Sequence, residues 1–170
     1  MTDELTILDT LEASLLSIIQ GIKAADGYYY DWKHGNDDDQ AIQSYPNASI
    51  VIDEENNAYD ADAAGSFSYS NDINIRIISR VAIPLESENP NYSINTYFNR
   101  IDHDLKKIFG QKTNIMALYA NGAHRFTYKK SKRILEKKGD RFVPGRHESE
   151  WILSYCQSSI DPRVVAAGGV

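Results

Sequence analysis

The chain has 170 residues, 42% hydrophobic and 25% charged, with a net charge of −6 and a single cysteine. That is one domain's worth of a globular protein, able to bury roughly two-thirds of the surface its unfolded form exposes. One cysteine excludes an internal disulfide or a cysteine metal cluster, and no apolar run reaches the roughly 18 residues a bilayer crossing needs.

The charge is unevenly spread. Residues 1–63 hold 14 Asp/Glu against Lys23 and Lys33, whereas residues 100–150 hold 13 Lys/Arg against six acids. Such halves are either two solvated faces or surfaces that attract copies of the same chain.

In chain order, Leu5, Leu8, Leu11, Leu15, Ile18, Ile19 and Ile22 recur every three or four residues and predict an amphipathic helix over about 4–24. Thr2 or Asp3 is its expected cap, and Asp26-Gly27 its expected stop. The run is too interrupted, and too acidic at its start, for a secretion signal. "GYYYDWK" then predicts a strand over about 28–33, with Tyr28, Tyr30 and Trp32 on one face and Tyr29 and Asp31 on the other. "NDDDQ" at 36–40 is a polar loop, and Pro46 leads a second strand, "ASIVIDEE".

Residues 55–66 read as a long loop or an extended hairpin tip. Alternation over 67–83 predicts one strand, or two broken at Asn71-Asp72. A loop over 84–92 precedes a helix of about 93–109, with Ser93 as cap, Tyr97, Ile101, Leu105 and Ile108 along one side, and Gly110 as stop. Asn121-Gly122 between strand-like runs predicts a tight hairpin. A basic strand or arm follows across 123–146, then a turn at "VPGR" and a last strand, "SEWILSYCQS". The expected architecture is α+β: a mostly antiparallel sheet with two helices on one face and a long β-hairpin or arm, forming a single domain over 1–160 with a mobile tail at 161–170.

Catalytic patterns are missing. His34, His103, His124 and His147 lack metal-ligand spacing, and the adjacent acids Asp37, Asp38 and Asp39 do not alternate as a calcium loop requires. Asp102 and Asp104 point apart on a helix, and Cys156 reads as a small buried thiol. Scattered carboxylates with Lys106 or Lys107 do not define a nuclease. Neither an enzyme nor a cofactor or metal is expected. Nucleic-acid binding rests on "HRFTYKKSKR", where Phe126 and Tyr128 alternate with Arg125, Lys129, Lys130, Lys132 and Arg133. The competing reading is an edge strand whose lysines discourage unwanted pairing while its rings face the core.

The order of features resembles the tail terminator (tail completion, or minor tail) proteins of long-tailed bacteriophages. The residues that carry it are "ILDTLEASLLSIIQGIK", "DGYYYDW", "YPNASIVIDEE", "INIRIISRVAI", "IDHDLKKIFG" and "WILSYCQSSIDP", about 150 of the 170. The resemblance implies a non-catalytic virion protein, made in the host cytoplasm, that forms a ring, typically a hexamer, at the head-proximal end of the tail tube. There it ends tube growth and joins the tail to the head connector, with DNA passing through the lumen without specific binding. A head-completion or neck adaptor protein is the near alternative; the nucleic-acid-binding accessory protein above is the distant one.

Under this resemblance Asp37, Asp38, Asp39, Asp53, Glu54 and Glu55 line the channel or its rim, or meet basic residues of the next subunit. Tyr28, Tyr29, Tyr30 and Trp32, with Lys129, Lys130, Lys132 and Arg133, are the expected subunit interface. For the aromatic segment the alternative is cover within one chain, by the helix at 93–109 and loop 84–92.

Overall fold

The computed structural model describes residues 6–34, 46–60, 68–84, 94–136 and 142–158. Helix α1 (Ile7–Gln20) begins at a capping box rather than at Thr2 or Asp3. The Thr6 hydroxyl accepts the Asp9 N–H at 3.2 Å, and the Asp9 carboxylate accepts the Thr6 N–H at 2.8 Å. The helix stops at Gly21, six residues before Gly27, which instead closes a short 3₁₀ turn (Ala24–Asp26) with φ at 79°.

The strand expected over 28–33 shrinks to β1 (Lys33–His34), because the preceding backbone bonds to a side chain instead of a neighbouring strand. The alternation still holds: Tyr28 and Trp32 are buried, Tyr30 is half-buried, and Tyr29 and Asp31 are exposed.

Strand β2 (Asn47–Asp60) and β3 (Ser68–Pro84) form a long hairpin, so residues 55–60 are strand, which agrees with the extended-hairpin reading of 55–66 and not with the loop reading; residues 61–66 lie outside the described residues. β3 runs unbroken through Asn71 and Asp72, which pair with Tyr155 and Ser154 across the next strand. Helix α2 (Ile94–Phe109) falls where its periodicity predicts. A third helix, α3 (Lys112–Ala120), replaces the run expected to enter a hairpin. Asn121-Gly122 is therefore the exit of a helix, with Gly122 at φ 104°. Positive φ serves a helix end as well as it serves a turn.

β4 (Ala123–Leu135) and β5 (Phe142–Ser158) complete the sheet, and "VPGR" lies inside β5 rather than in a turn. Pro144 is tolerated because its carbonyl, and hence its missing N–H, points past the end of β4, towards Glu136. Gly145 sits under Phe98: a Cβ there would lie 2.7 Å from Ile83 Cδ1 and 3.2 Å from Phe98 Cζ.

The sheet order is β1-β2-β3-β5-β4, antiparallel except for β1 against β2. Odd-numbered residues of β3 and β5 (Ile73, Ile75, Ile77, Val81, Trp151, Leu153, Tyr155) face one way and are buried. They share one core with Leu11, Leu15 and Ile19 of α1, Phe98, Ile101 and Leu105 of α2, and Leu118 of α3. The fold is α+β, with three helices rather than two on that face. Among the described residues no helix covers the opposite face, hereafter the open face. The expected tail at 161–170, the cap Ser93, the loop at 84–92 beyond Pro84, and the loop at 36–40 lie outside the described residues.

Candidate interaction surfaces

The aromatic segment is fixed from α2. Asp104, fully buried, accepts the backbone N–H of Tyr29 at 3.0 Å, that of Tyr30 at 3.2 Å and the indole N–H of Trp32 at 3.2 Å. Three donors on one carboxylate replace the water it loses on burial. Tyr28 lies beneath Lys107, whose Nζ is 4.3 Å from the ring centroid and donates to the Gly27 carbonyl at 2.6 Å. The phenol oxygen of Tyr28 accepts from Gln111 Nε2 at 2.6 Å. Burial pushes the Tyr30 phenol up to about 12, with the nearby Arg100 charge pulling the other way.

Tyr28 and Trp32 are thus covered within one chain, which corrects their expected place at an interface. Of the four rings, Tyr29 keeps half its surface (51%) open. It stands edge-on to His103 at 5.2 Å with Arg100 at 4.9 Å from its ring, so this residue alone of the four offers a neighbour a broad aromatic surface.

β4 divides its residues between the two faces. Phe126 stacks on Trp151 at 4.9 Å with parallel planes and meets Phe109 at 4.9 Å. Tyr128 meets Trp151 edge-on at 5.2 Å, and Lys106 covers it at 4.3 Å. Both rings therefore turn to the helices. Arg133 shares that side, donating to Asn99 Oδ1 at 2.8 Å. Lys130 and Lys132 stand on the open face across from Glu150 and Glu148, and Lys129, at a bulge, reaches Asn74 there at 3.3 Å. The ring–cation alternation of the sequence is pulled apart by the pleat. The four basic residues expected to act together do not share a surface.

The open face is laced with ion pairs. Arg76 donates through two nitrogens to Asp53, at 2.6 and 3.0 Å, and lies 3.5 Å from Glu148, which also binds Arg146 at 2.7 Å. Lys130 reaches Glu150 at 3.2 Å. Asp53 is therefore held within the chain rather than presented bare. Glu54 and Glu55 continue β2 opposite Asn74 and Ile73, whereas Asp37, Asp38 and Asp39 lie outside the described residues.

Asp102 and Lys106 come together with His147, which no spacing in the sequence links to them, where α2 meets β5. Burial would raise the Asp102 carboxyl, but His147, 3.6 Å away and fully buried, and Lys106, hydrogen-bonded at 2.6 Å, together hold it down at about 2. A shallow open depression of about 520 Å³ lies here, lined by Asn99, Asp102, His103, Lys106 and Lys107. None of these five carries a nucleophilic hydroxyl or thiol. Cys156 is half-buried on the open-face side, 3.8 Å from His124, not sealed in the core as expected. Among the described residues no three His, Cys, Asp or Glu side chains converge as a metal site would need. No helix among them is long and apolar enough to cross a membrane.

No family model matches the sequence, and no curated protein matches it at a significant level. The distribution of charge over the sheet carries the functional argument instead. The two outer strands of the antiparallel sheet are opposite in sign: β2, which β1 covers only at Asn47 and Ala48, holds Asp53, Glu54, Glu55 and Asp60 with no Lys or Arg, and β4 holds Arg125, Lys129, Lys130, Lys132 and Arg133 with no Asp or Glu.

Proposed function

We propose that this chain is a structural protein of a bacteriophage virion, a tail terminator that forms a ring, typically of six copies, at the head-proximal end of the tail tube. The ring ends tube growth and joins the tail to the head connector, with no catalytic step. DNA crosses its lumen without being bound. The observation that carries this reading is the opposed charge of the two sheet edges, which suits a protein made to sit head-to-side with its own copies. The order of elements, from an amphipathic helix through an aromatic segment to two long hairpins and a pair of helices, supports it alongside the resemblance. The β4–β5 hairpin is the arm that reaches the neighbour, and exposed Tyr29 is a second point of contact. A neck adaptor in the same particle shares all these features and differs only in its position.

Binding of nucleic acid by 125–138 is less favoured. Phe126 and Tyr128, the rings that would stack on bases, are packed against Trp151 on the face away from Lys130 and Lys132.

The test is electron microscopy and native mass of the purified protein, with addition to polymerising tail tubes. Rings of about six copies that arrest tube growth are the expected result; a monomer at all concentrations, or substrate turnover, would end the reading.

A further inference from the structure

We infer that the two edges of the sheet are the two halves of one subunit contact, with β4 of one copy pairing as an antiparallel strand with β2 of the next. This inference rests on the ring reading and specifies how the ring is held.

Strand directions come first. The main sheet has four strands in the order β2-β3-β5-β4, and each neighbour is antiparallel to the last. With an even number of strands, β2 and β4 run in opposite directions. A second copy placed beside the first in the same orientation therefore brings its β2 against β4 with antiparallel alternation unbroken. Its helices fall on the same side of the joint sheet. No strand needs to turn over.

Both edges are long and open. Among the described residues β4 has no strand beyond it, and β2 is covered only by β1 at Asn47 and Ala48. That leaves a run from Ser49 to Asp60 against the length of β4. Unpaired edges of this length are a liability unless guarded or used. The apolar content at these edges argues for use: Ile50, Val51 and Ile52 are only half-buried, and Leu135 is 49% exposed.

Charge then selects the mate. Lys129, Lys130 and Lys132, on one face of β4, oppose a second β4, and the acidic stretch of β2 that holds Glu54, Glu55 and Asp60 opposes a second β2, across the roughly 4.8 Å between paired strands. Both self-symmetric pairings are disfavoured. The mixed pairing is attractive, and it is heterologous, so it propagates from copy to copy and closes into a ring when the rotation permits. Lys129 and Lys130 also approach Glu150, at 3.9 and 3.2 Å, yet their side chains remain 45% and 64% exposed and can serve an incoming acid. The lysines and bulges of β4 act as a filter on pairing as much as a bar to it.

The experiment uses two full-length variants, each with both edges of one sign. One carries Lys129→Glu, Lys130→Glu and Lys132→Glu, which makes β4 net acidic; the other carries Glu54→Lys, Glu55→Lys and Asp60→Lys, which makes β2 net basic while leaving Asp53 to hold Arg76. Sedimentation should show wild type as a multimer and each variant alone as a monomer with native circular dichroism. An equimolar mixture should recover the multimer, because acidic β4 then meets basic β2 and the remaining junction keeps its wild-type signs. Variants that each retain the wild-type mass, or folded variants that fail to recover on mixing, overturn the edge pairing while a wild-type ring still stands. A wild-type monomer overturns the ring itself and the pairing with it. Should a variant misfold, hydrogen exchange on wild type decides: alternate β4 amides must slow on assembly, and unchanged rapid exchange sinks the contact.

Discussion

Asp104 and Trp32 are 72 residues apart, yet the Asp104 carboxylate accepts the Trp32 indole N–H at 3.2 Å, both side chains being fully buried. The same carboxylate takes the N–H groups of Tyr29 and Tyr30, so one side chain of α2 does for this segment what a neighbouring strand would otherwise do. Asp104→Ala leaves the buried Trp32 indole N–H and two partly buried backbone N–H groups without this partner and should cost about 3 kcal/mol, since an unsatisfied buried group costs on the order of 1–3 kcal/mol and partly buried ones less. Urea unfolding measures the loss, and Trp32 emission should shift to the red as its pocket loosens. Asp104→Asn, which keeps one acceptor oxygen, should lose less.

Asp102 predicts an acid limb. Its carboxyl is held at about 2 in the folded chain, below the ordinary 3.8. A depressed folded value means stability that is present above the unfolded value and is lost as pH falls from about 4 through 2. The urea midpoint of wild type should fall across that window, and Asp102→Asn should flatten this part of the fall. A slope unchanged by the substitution would remove Asp102 as its source.

Tyr30 predicts the opposite limb. Its folded value is raised to about 12, chiefly by burial, from the ordinary 10. The stability it contributes is therefore complete below about pH 10 and lost as pH rises through 12. The phenolate ultraviolet band should show a late-titrating component that is reduced in Tyr30→Phe.

Gly145→Ala tests the packing of α2 on β5. The added methyl meets Ile83 and Phe98 at 2.7 and 3.2 Å, and overpacking of this kind costs about 1–3 kcal/mol. Thermal unfolding should show the loss, and Phe98→Leu in the same chain should return part of it.

Thr6→Ala removes the hydroxyl half of the capping box and should cost about 1 kcal/mol, read as a drop in the urea midpoint without a change of slope.

Much of the architecture is legible in local periodicity. The apolar spacing of Leu11, Leu15, Ile18 and Ile19 is α1, that of Ile101, Leu105 and Ile108 is α2, and the alternation of Ile73, Ile75 and Ile77 is β3. The errors have physical causes. Lys112–Ala120 carries a weak amphipathic signal, with Leu118 its single buried residue, so the Asn-Gly that follows it reads as a hairpin. Pro144 and Gly145 read as a turn because their reasons for lying in a strand, the end of β4 and the ring of Phe98, belong to distant parts of the chain. At the candidate surface, the basic character of β4 is plain from the sequence, but which face each residue takes depends on a pleat interrupted by bulges near Ala123 and Tyr128.

By itself, the order of residues determined which segments are amphipathic and that acid and base are concentrated in different stretches, because side-chain periodicity and charge are local properties. Only the tertiary structure decided that the aromatic segment hangs on a buried carboxylate and that the acidic and basic strands end as opposite edges of one sheet. Strand order is fixed by packing between elements far apart in the chain, and no local pattern encodes which strand is left on the outside.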